Sequence, residues 1–161
     1  MQVCKSCCEQ TQQHPLSTKR PSATYRAVLA QHGFLIKDSL GAGSYSKVKH
    51  AVYTKSPRVS SHCNYPHEVA IKIIDRSIAP KDFQERFLPR ELNFWPNLSH
   101  PNIVKMLQCF SEENRVYMIL EFVERGDALR FIQTNGAVSE STGKIWVYQV
   151  SELLTREVKS P

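Results

Sequence analysis

The residues of this chain whose types and spacing most clearly suggest a binding site are two glycines and a lysine. Gly41 and Gly43 stand in the segment Leu40-Gly41-Ala42-Gly43-Ser44-Tyr45-Ser46-Lys47-Val48, between two apolar patches. Glycine has no side chain to clash and can adopt a positive φ, so such a loop lets backbone amides approach a phosphate closely. Because many turns contain Gly-x-Gly, the loop alone is weak evidence for a nucleotide site.

Lys72 makes the evidence more specific. It lies inside the run 69–75, which is nearly continuous in apolar residues and predicts a buried strand. An ammonium group is costly to place there without an anionic partner. Nucleotide phosphates and the carboxylate of Glu91 are the two candidate partners. The alternatives are a lysine at a strand edge that faces solvent and an ordinary surface glutamate.

The surrounding pattern predicts the elements that position these residues. Five runs of apolar and β-branched residues predict strands over 34–40, 48–53, 69–75, 103–110 and 115–122. After Pro80, apolar residues recur at helical spacing up to Trp95. Pro89 and Pro96 interrupt this stretch, so we expect a bend or short segments rather than one straight helix. Two smaller helices are predicted over 128–133 and 139–154.

The order and spacing of these motifs resemble the small lobe of a eukaryotic protein kinase. The Leu-Gly-x-Gly-x-x-x-x-Val loop, Val-Ala-Ile-Lys, a helix glutamate and the run 117–122 occur in that order. The runs 71–76 and 87–91 resemble, more narrowly, the testis-specific serine/threonine kinases. The resemblance covers about 34–154. It implies an α+β fold with a five-stranded antiparallel sheet and one main helix, followed by the first helices of an incomplete large lobe.

The resemblance also implies an ATP site. Backbone amides of Gly41 and Gly43 would cover the phosphates, and Lys72 would hold the α- and β-phosphates and pair with Glu91. Mg²⁺ would be held only through the nucleotide.

At the other end of the implied site, the side chains of Leu40, Val48 and Ala70 would enclose the adenine, with Leu120 behind it. Glu121 and Val123 would offer backbone hydrogen bonds to the adenine edge. Asp127 would reach a ribose hydroxyl, or it would instead cap the helix over 128–133.

Three departures from the family pattern affect the site. Ser46 replaces the third glycine of the loop, the connection 54–67 is longer than usual, and Pro96 is predicted to disturb the placement of Glu91. A larger departure is that neither His-Arg-Asp nor Asp-Phe-Gly occurs in the 161 residues. We therefore expect no catalytic base and no protein metal ligand, and a chain that is inactive alone. The alternative function is a regulatory module that binds nucleotide or competes for partners of a full-length kinase.

The expected domain organisation follows the composition. Residues 1–24 form a polar tail, 25–123 the small lobe, 124–154 the hinge and first helices of an incomplete large lobe, and 155–161 an unrelated ending. The last helix would leave apolar residues exposed, which indicates a possible protein partner.

The remaining composition excludes some classes of protein. No apolar run is long enough to span a bilayer and no secretory signal is recognised, so a cytoplasmic protein is expected. The net charge of +6 indicates either affinity for phosphates or a solvated basic surface, and no nucleic-acid partner is expected. Cys4, Cys7 and Cys8 are free thiols, metal ligands or acylation sites; as metal ligands they lack a fourth partner other than His14.

Overall fold

The computed structural model describes residues 24–55 and 65–157, with side chains up to Leu153. Their contacts divide them into two compact units. The first unit comprises the described residues of 24–98 together with 105–122, and the second comprises 99–104 and 123–157. Each unit is described by itself.

The first unit is built on a five-stranded sheet in which every neighbouring pair is antiparallel. The strands are β1 (Phe34–Ala42), β2 (Ser46–Tyr53), β3 (Glu68–Asp75), β4 (Met106–Glu112) and β5 (Arg115–Glu121), in the spatial order β1-β2-β3-β5-β4. The two strands richest in consecutive apolar residues, β3 and β5, lie side by side with β3 at the centre. Their apolar runs are buried because the sheet is covered on both faces.

The fourth strand begins later than its sequence predicts. We expected a strand from Ile103, whereas β4 starts at Met106. The amide of Ile103 donates to the carbonyl of His100 at 3.1 Å, so this residue belongs to a turn. Since its backbone is curled into that turn, it cannot join the ladder with β5, and residues up to Val104 group with the second unit.

One face of the sheet is covered by a helix that the sequence did not predict. This helix, α1 (Tyr25–Gln31), buries Val28 and Leu29 against the sheet. Val69, Ile71 and Ile73 of β3 belong to the same core cluster. With two buried positions in seven residues, α1 is too short for a helical period to stand out in the sequence.

The opposite face is covered by a helical stretch made of short segments, as predicted. A π-helical turn (Phe83–Phe87) leads into α2 (Leu88–Phe94), which is followed by a 3₁₀ turn (Trp95–Asn97). Pro89 and Pro96 each lie in the first two positions of a segment. Proline has no amide to donate to the preceding turn, and here each proline lies where the helical hydrogen-bond pattern changes. Leu88 is buried in the core on this face.

The second unit contains two helices. α3 (Ala128–Asn135) ends at Gly136, whose φ of 83° suits glycine, and α4 (Glu140–Glu157) follows. The rings of Phe131 and Trp146 meet edge to face, with centroids 5.6 Å apart. α4 has 18 residues and continues to Glu157, whereas we expected the last helix to end at Leu154.

Candidate functional site

The two charged residues that the sequence predicted to pair, a lysine and a glutamate, form an ion pair in the structure. Lys72 lies in β3 and Glu91 in the first turn of α2. The Nζ atom of Lys72 donates to Oε1 of Glu91 at 2.6 Å, and the two side chains are 25% and 28% exposed. A partly desolvated, charge-assisted contact of this length holds the ammonium in one place.

Pro96 does not disturb Glu91, contrary to the sequence expectation. It follows Trp95 in the 3₁₀ turn that begins where α2 ends. The change of helix type takes place beyond Glu91, so α2 retains its geometry where the glutamate projects toward β3. The prediction was wrong because Pro96 belongs to the segment after α2 rather than to the segment that carries Glu91.

The glycine loop and Lys72 line the same cavity. The β1–β2 turn is closed by a hydrogen bond from the Gly43 amide to the Ser46 carbonyl, at 2.8 Å. Beneath it is a cavity of about 240 Å³. Its lining consists of the loop, Lys72 and two apolar side chains: Gly43, Ser44, Tyr45, Ser46, Lys72, Ile74 and Phe83. The glycine loop and Lys72 are far apart in the sequence. The pairing of Val48 in β2 with Lys72 in β3 brings them together.

Neither glycine of the loop adopts a positive φ, so what distinguishes them is the absence of a side chain beside the backbone. Positive φ was part of the reasoning from sequence, but among the described glycines it occurs at Gly33, Gly126 and Gly136. A Cβ on Gly41 would meet nothing within 4 Å, whereas one on Gly43 would come 3.1 Å from Oγ of Ser46. Gly41 therefore leaves open space beside the backbone, which is what close approach of a ligand requires.

The residues predicted to enclose an adenine lie on one face of the sheet. Ala70 pairs with Leu120 across β3 and β5, and Val48 pairs with Lys72, so all four side chains face the same way as the cavity. Ala70 and Leu120 are 8% and 7% exposed. Leu40 lies at an irregularity in the β1–β2 ladder and is 43% exposed.

The backbone groups of the predicted adenine edge are divided between the two units. In the first unit, the amide of Glu121 donates to the carbonyl of Lys105 at 3.0 Å, so this amide is not available to a ligand. Val123 belongs to the second unit, where its carbonyl accepts from the Gly126 amide at 3.2 Å. The contact of Val123 with an adenine stays a prediction.

Asp127 is an N-cap. It precedes α3, and its carboxylate accepts a hydrogen bond from the backbone amide of Arg130 at 2.7 Å. This is the second of the two roles that its position in the sequence allowed. The ribose contact stays a prediction.

The reasoning from sequence missed His50. In β2 it lies opposite Ala70, on the face of the predicted site, and its ring stacks on Phe122 with centroids 4.2 Å apart. Its Nε2 atom is 3.3 Å from Glu68, an ion-pair distance without hydrogen-bond geometry, and Nδ1 is 3.9 Å from Asp38. The two-residue alternation from Val48 was the signal that could have placed His50 on this face.

Two kinds of feature are absent from the described residues. No group of three or more His, Cys, Asp or Glu side chains there is arranged to hold a metal ion. No helix among them is both long and apolar enough to cross a membrane. Cys4, Cys7 and Cys8 lie outside the described residues, so their predicted roles are untested.

Comparison with known proteins agrees with this geometry. Mouse testis-specific serine/threonine-protein kinase 1 is 40% identical over 129 residues, which cover 80% of this chain and 33% of the relative. The human protein of the same name is 41% identical over 126 residues, covering 78% and 32%. The chain thus spans about a third of the length of these relatives.

The fold comparison points the same way. A crystal structure of Rad53 1–466 in complex with AMP-PNP superposes with a TM-score of 0.62 at 26% identity, covering 79% of this chain and 30% of that one. The predicted α+β fold is therefore confirmed. The family model described as "Protein kinase domain" matches residues 34–155. This chain belongs to the protein kinase family and is similar to its testis-specific serine/threonine members.

Proposed function

We propose that this chain binds ATP through its first unit. The observation that carries the proposal is the double role of Lys72, which contacts Glu91 at 2.6 Å and also lines the cavity beneath the glycine loop. An ammonium has three donors, and one carboxylate occupies only part of that capacity. The remaining donors and the positive charge suit phosphate oxygens in the cavity.

The apolar face beside Lys72 supports an adenine rather than a bare phosphate as the rest of the ligand. Val48, Ala70 and Leu120 lie on the same face of the sheet as Lys72, and we propose that the carbonyl of Glu121 accepts a hydrogen bond from an exocyclic amine. A concave site with an apolar wall and a few polar groups is typical of cofactor binding. The bound AMP-PNP named for the Rad53 structure agrees with this assignment.

The second part of the proposal is that the chain alone does not transfer phosphate. Phosphoryl transfer needs Mg²⁺ positioned by protein ligands and a residue that orients the hydroxyl nucleophile. The motifs that supply them in this family, His-Arg-Asp and Asp-Phe-Gly, do not occur in the 161 residues. Serine/threonine kinase activity like that named for the relatives would require a protein that contains these motifs as well.

A thermal-shift measurement tests ATP binding. A ligand that binds only the folded state raises Tm, and Mg-ATP at about 100 times its Kd adds about 2.7 kcal/mol of stability. Lys72→Leu removes the ammonium and should abolish the shift, whereas Lys37→Leu changes an exposed lysine of β1 and should preserve it. A wild-type chain whose Tm does not respond to Mg-ATP would contradict the proposal.

A radiolabelled-ATP assay on a basic protein substrate tests inactivity. We expect no transfer above the background of the Lys72→Leu variant. Robust transfer that depends on Lys72 would show that the missing motifs are not needed and would overturn this part of the proposal.

A second candidate function is a non-catalytic module that competes with a full-length kinase for protein partners. It is favoured by apolar side chains of α4 that are 57% to 69% exposed, namely Ile145, Val147, Tyr148 and Val150. Adding the chain to a purified full-length testis-specific kinase should then lower its activity on a protein substrate, and Val147→Glu should remove that effect. Unchanged kinase activity would contradict this candidate.

A cytoplasmic location also remains a proposal. Fluorescence microscopy of the tagged chain tests it, and accumulation in another compartment would contradict it.

A further inference from the structure

We infer that Trp95 is a positioning residue for Lys72 and acts together with Glu91. The Nζ atom of Lys72 lies over the indole of Trp95, 5.6 Å from the ring centroid. A cation within about 6 Å of a tryptophan face is attracted by the electron density of the ring. The effect of this contact on nucleotide affinity rests on the proposed ATP binding, but the contact itself does not.

One short piece of helical chain supplies both partners of the ammonium. Glu91 and Trp95 are four residues apart, a spacing that puts two side chains on the same face of a helix. α2 carries the carboxylate, and the 3₁₀ turn that follows begins at Trp95. Trp95 also packs against the buried cluster that contains Leu88 and Met118, which limits the movement of the ring.

The indole contacts Lys72 from outside the ligand cavity. Lys72 lines that cavity, whereas neither Trp95 nor Glu91 is among its lining residues. Lys72 therefore lines the cavity and also contacts two protein partners that lie outside its lining. This arrangement leaves the cavity side of the ammonium for a ligand.

The chemistry of an indole suits this position better than a second carboxylate would. A second carboxylate would make the local charge around Lys72 negative and would repel phosphate. An aromatic ring attracts the cation without carrying a charge, so the pair of Lys72 and Glu91 stays neutral and the ammonium keeps its donors for phosphate. The ring also limits how far the flexible lysine stem can swing from its position over the cavity.

A double-mutant cycle on the whole chain tests the contact without nucleotide. The variants are Lys72→Leu, Trp95→Leu and the double variant, with the unfolding equilibrium measured for each. Leucine is preferred to methionine because a methionine sulfur itself contacts aromatic rings. The loss of the Glu91 partner is common to both Lys72 variants, so it cancels in the cycle.

The expected coupling is about two- to fivefold in the unfolding equilibrium constant, with the double variant losing less stability than the sum of the single variants. Purely additive losses would overturn the inference. A second cycle with Trp95→Phe in place of Trp95→Leu should show less coupling, because phenylalanine keeps an aromatic face beside Lys72 and loses less of the contact. A phenylalanine cycle with as much coupling as the leucine cycle would also overturn the inference, because the aromatic face would then make no difference.

A binding measurement then separates positioning from structure. If Trp95 orients the ammonium toward phosphates, Trp95→Leu should weaken ATP about two- to fivefold and leave adenosine unchanged. Equal losses for ATP and adenosine would overturn the positioning role. If the wild-type chain bound neither ligand, the proposed function would fail, and the double-mutant cycle would still decide whether Trp95 holds Lys72.

Discussion

The ammonium of Lys72 lies 2.6 Å from the carboxylate of Glu91, joining the central strand of the sheet to the helix that covers one of its faces. The contact is short and partly shielded from solvent, since about a quarter of each side chain is exposed. It fixes the lysine at the edge of a cavity whose other side is the glycine loop. The relationship therefore makes Glu91 as important for the proposed phosphate site as the lysine itself.

Glu91→Gln tests that dependence. The glutamine keeps the shape of the side chain and its oxygen can still accept from the ammonium, but the negative charge is removed, so the ion pair becomes a weaker hydrogen bond to a neutral acceptor. We expect ATP affinity, measured by calorimetry, to fall by about tenfold. Glu85→Gln is the matched control, because Glu85 is exposed in the preceding π-helical turn and should leave affinity unchanged. Equal affinities of wild type and Glu91→Gln would show that the ion pair does not position the lysine.

Gly41→Ala tests whether the open space beside the loop is used by a ligand. A Cβ at this position meets nothing within 4 Å and the backbone φ is not positive, so we expect Tm to change by no more than an ordinary surface substitution would cause. The same Cβ would stand where a phosphate approaches the backbone, so affinity for ATP should fall while affinity for adenosine stays constant. An unchanged ATP affinity would mean that the ligand does not approach Gly41.

Asp127→Ala distinguishes the two roles of Asp127. Because the carboxylate caps α3, its loss should destabilise the second unit by about 1 kcal/mol. Unfolding of that unit can be followed by Trp146 fluorescence in a Trp95→Phe background. Asp127→Asn should retain the cap, since asparagine is a good N-cap residue. If Asp127 also binds a ribose hydroxyl, Asp127→Asn should reduce the preference for ATP over 2′-deoxy-ATP.

Ser77→Ala tests the acid sensitivity of the corner after β3. The side chain of Ser77 donates to the carboxylate of Asp75, and this bond, with its backbone amide and the charge of Arg115, lowers the pKa of Asp75 despite partial burial. A carboxyl whose folded pKa is lowered stabilises the protein at pH values above its unfolded pKa, and that stability is lost as pH falls through the folded pKa.

The Tm of Ser77→Ala should therefore lie furthest below that of wild type near neutral pH. The difference should shrink as the pH falls below the ordinary Asp pKa of 3.8. Ser111→Ala changes an exposed serine of β4 and should give a curve parallel to wild type. A Tm difference between wild type and Ser77→Ala that persists unchanged down to about pH 2 would show that the hydroxyl does not stabilise the ionised carboxylate.

Much of the fold could be predicted because its signals are local. Continuous apolar runs predicted β3 and β5 correctly, since a strand covered on both faces has no polar side to alternate with. The proline positions predicted a helical stretch of short segments, because proline lacks the amide that would continue the hydrogen-bond pattern of a single helix. α1 was not predicted because its two buried residues are buried only by packing against the sheet, which no local pattern shows.

By itself, the sequence determined the chemistry available to this protein: a glycine loop, one lysine in a buried strand, and a glutamate on the following helix. Only the tertiary structure decided which groups meet. Pairing of β2 with β3 placed the loop above Lys72, the helical stretch brought Glu91 and Trp95 to the same ammonium, and Phe122 became the partner of His50. Such contacts join residues far apart in the chain, so they depend on strand register and helix packing, which local patterns of residue type do not encode.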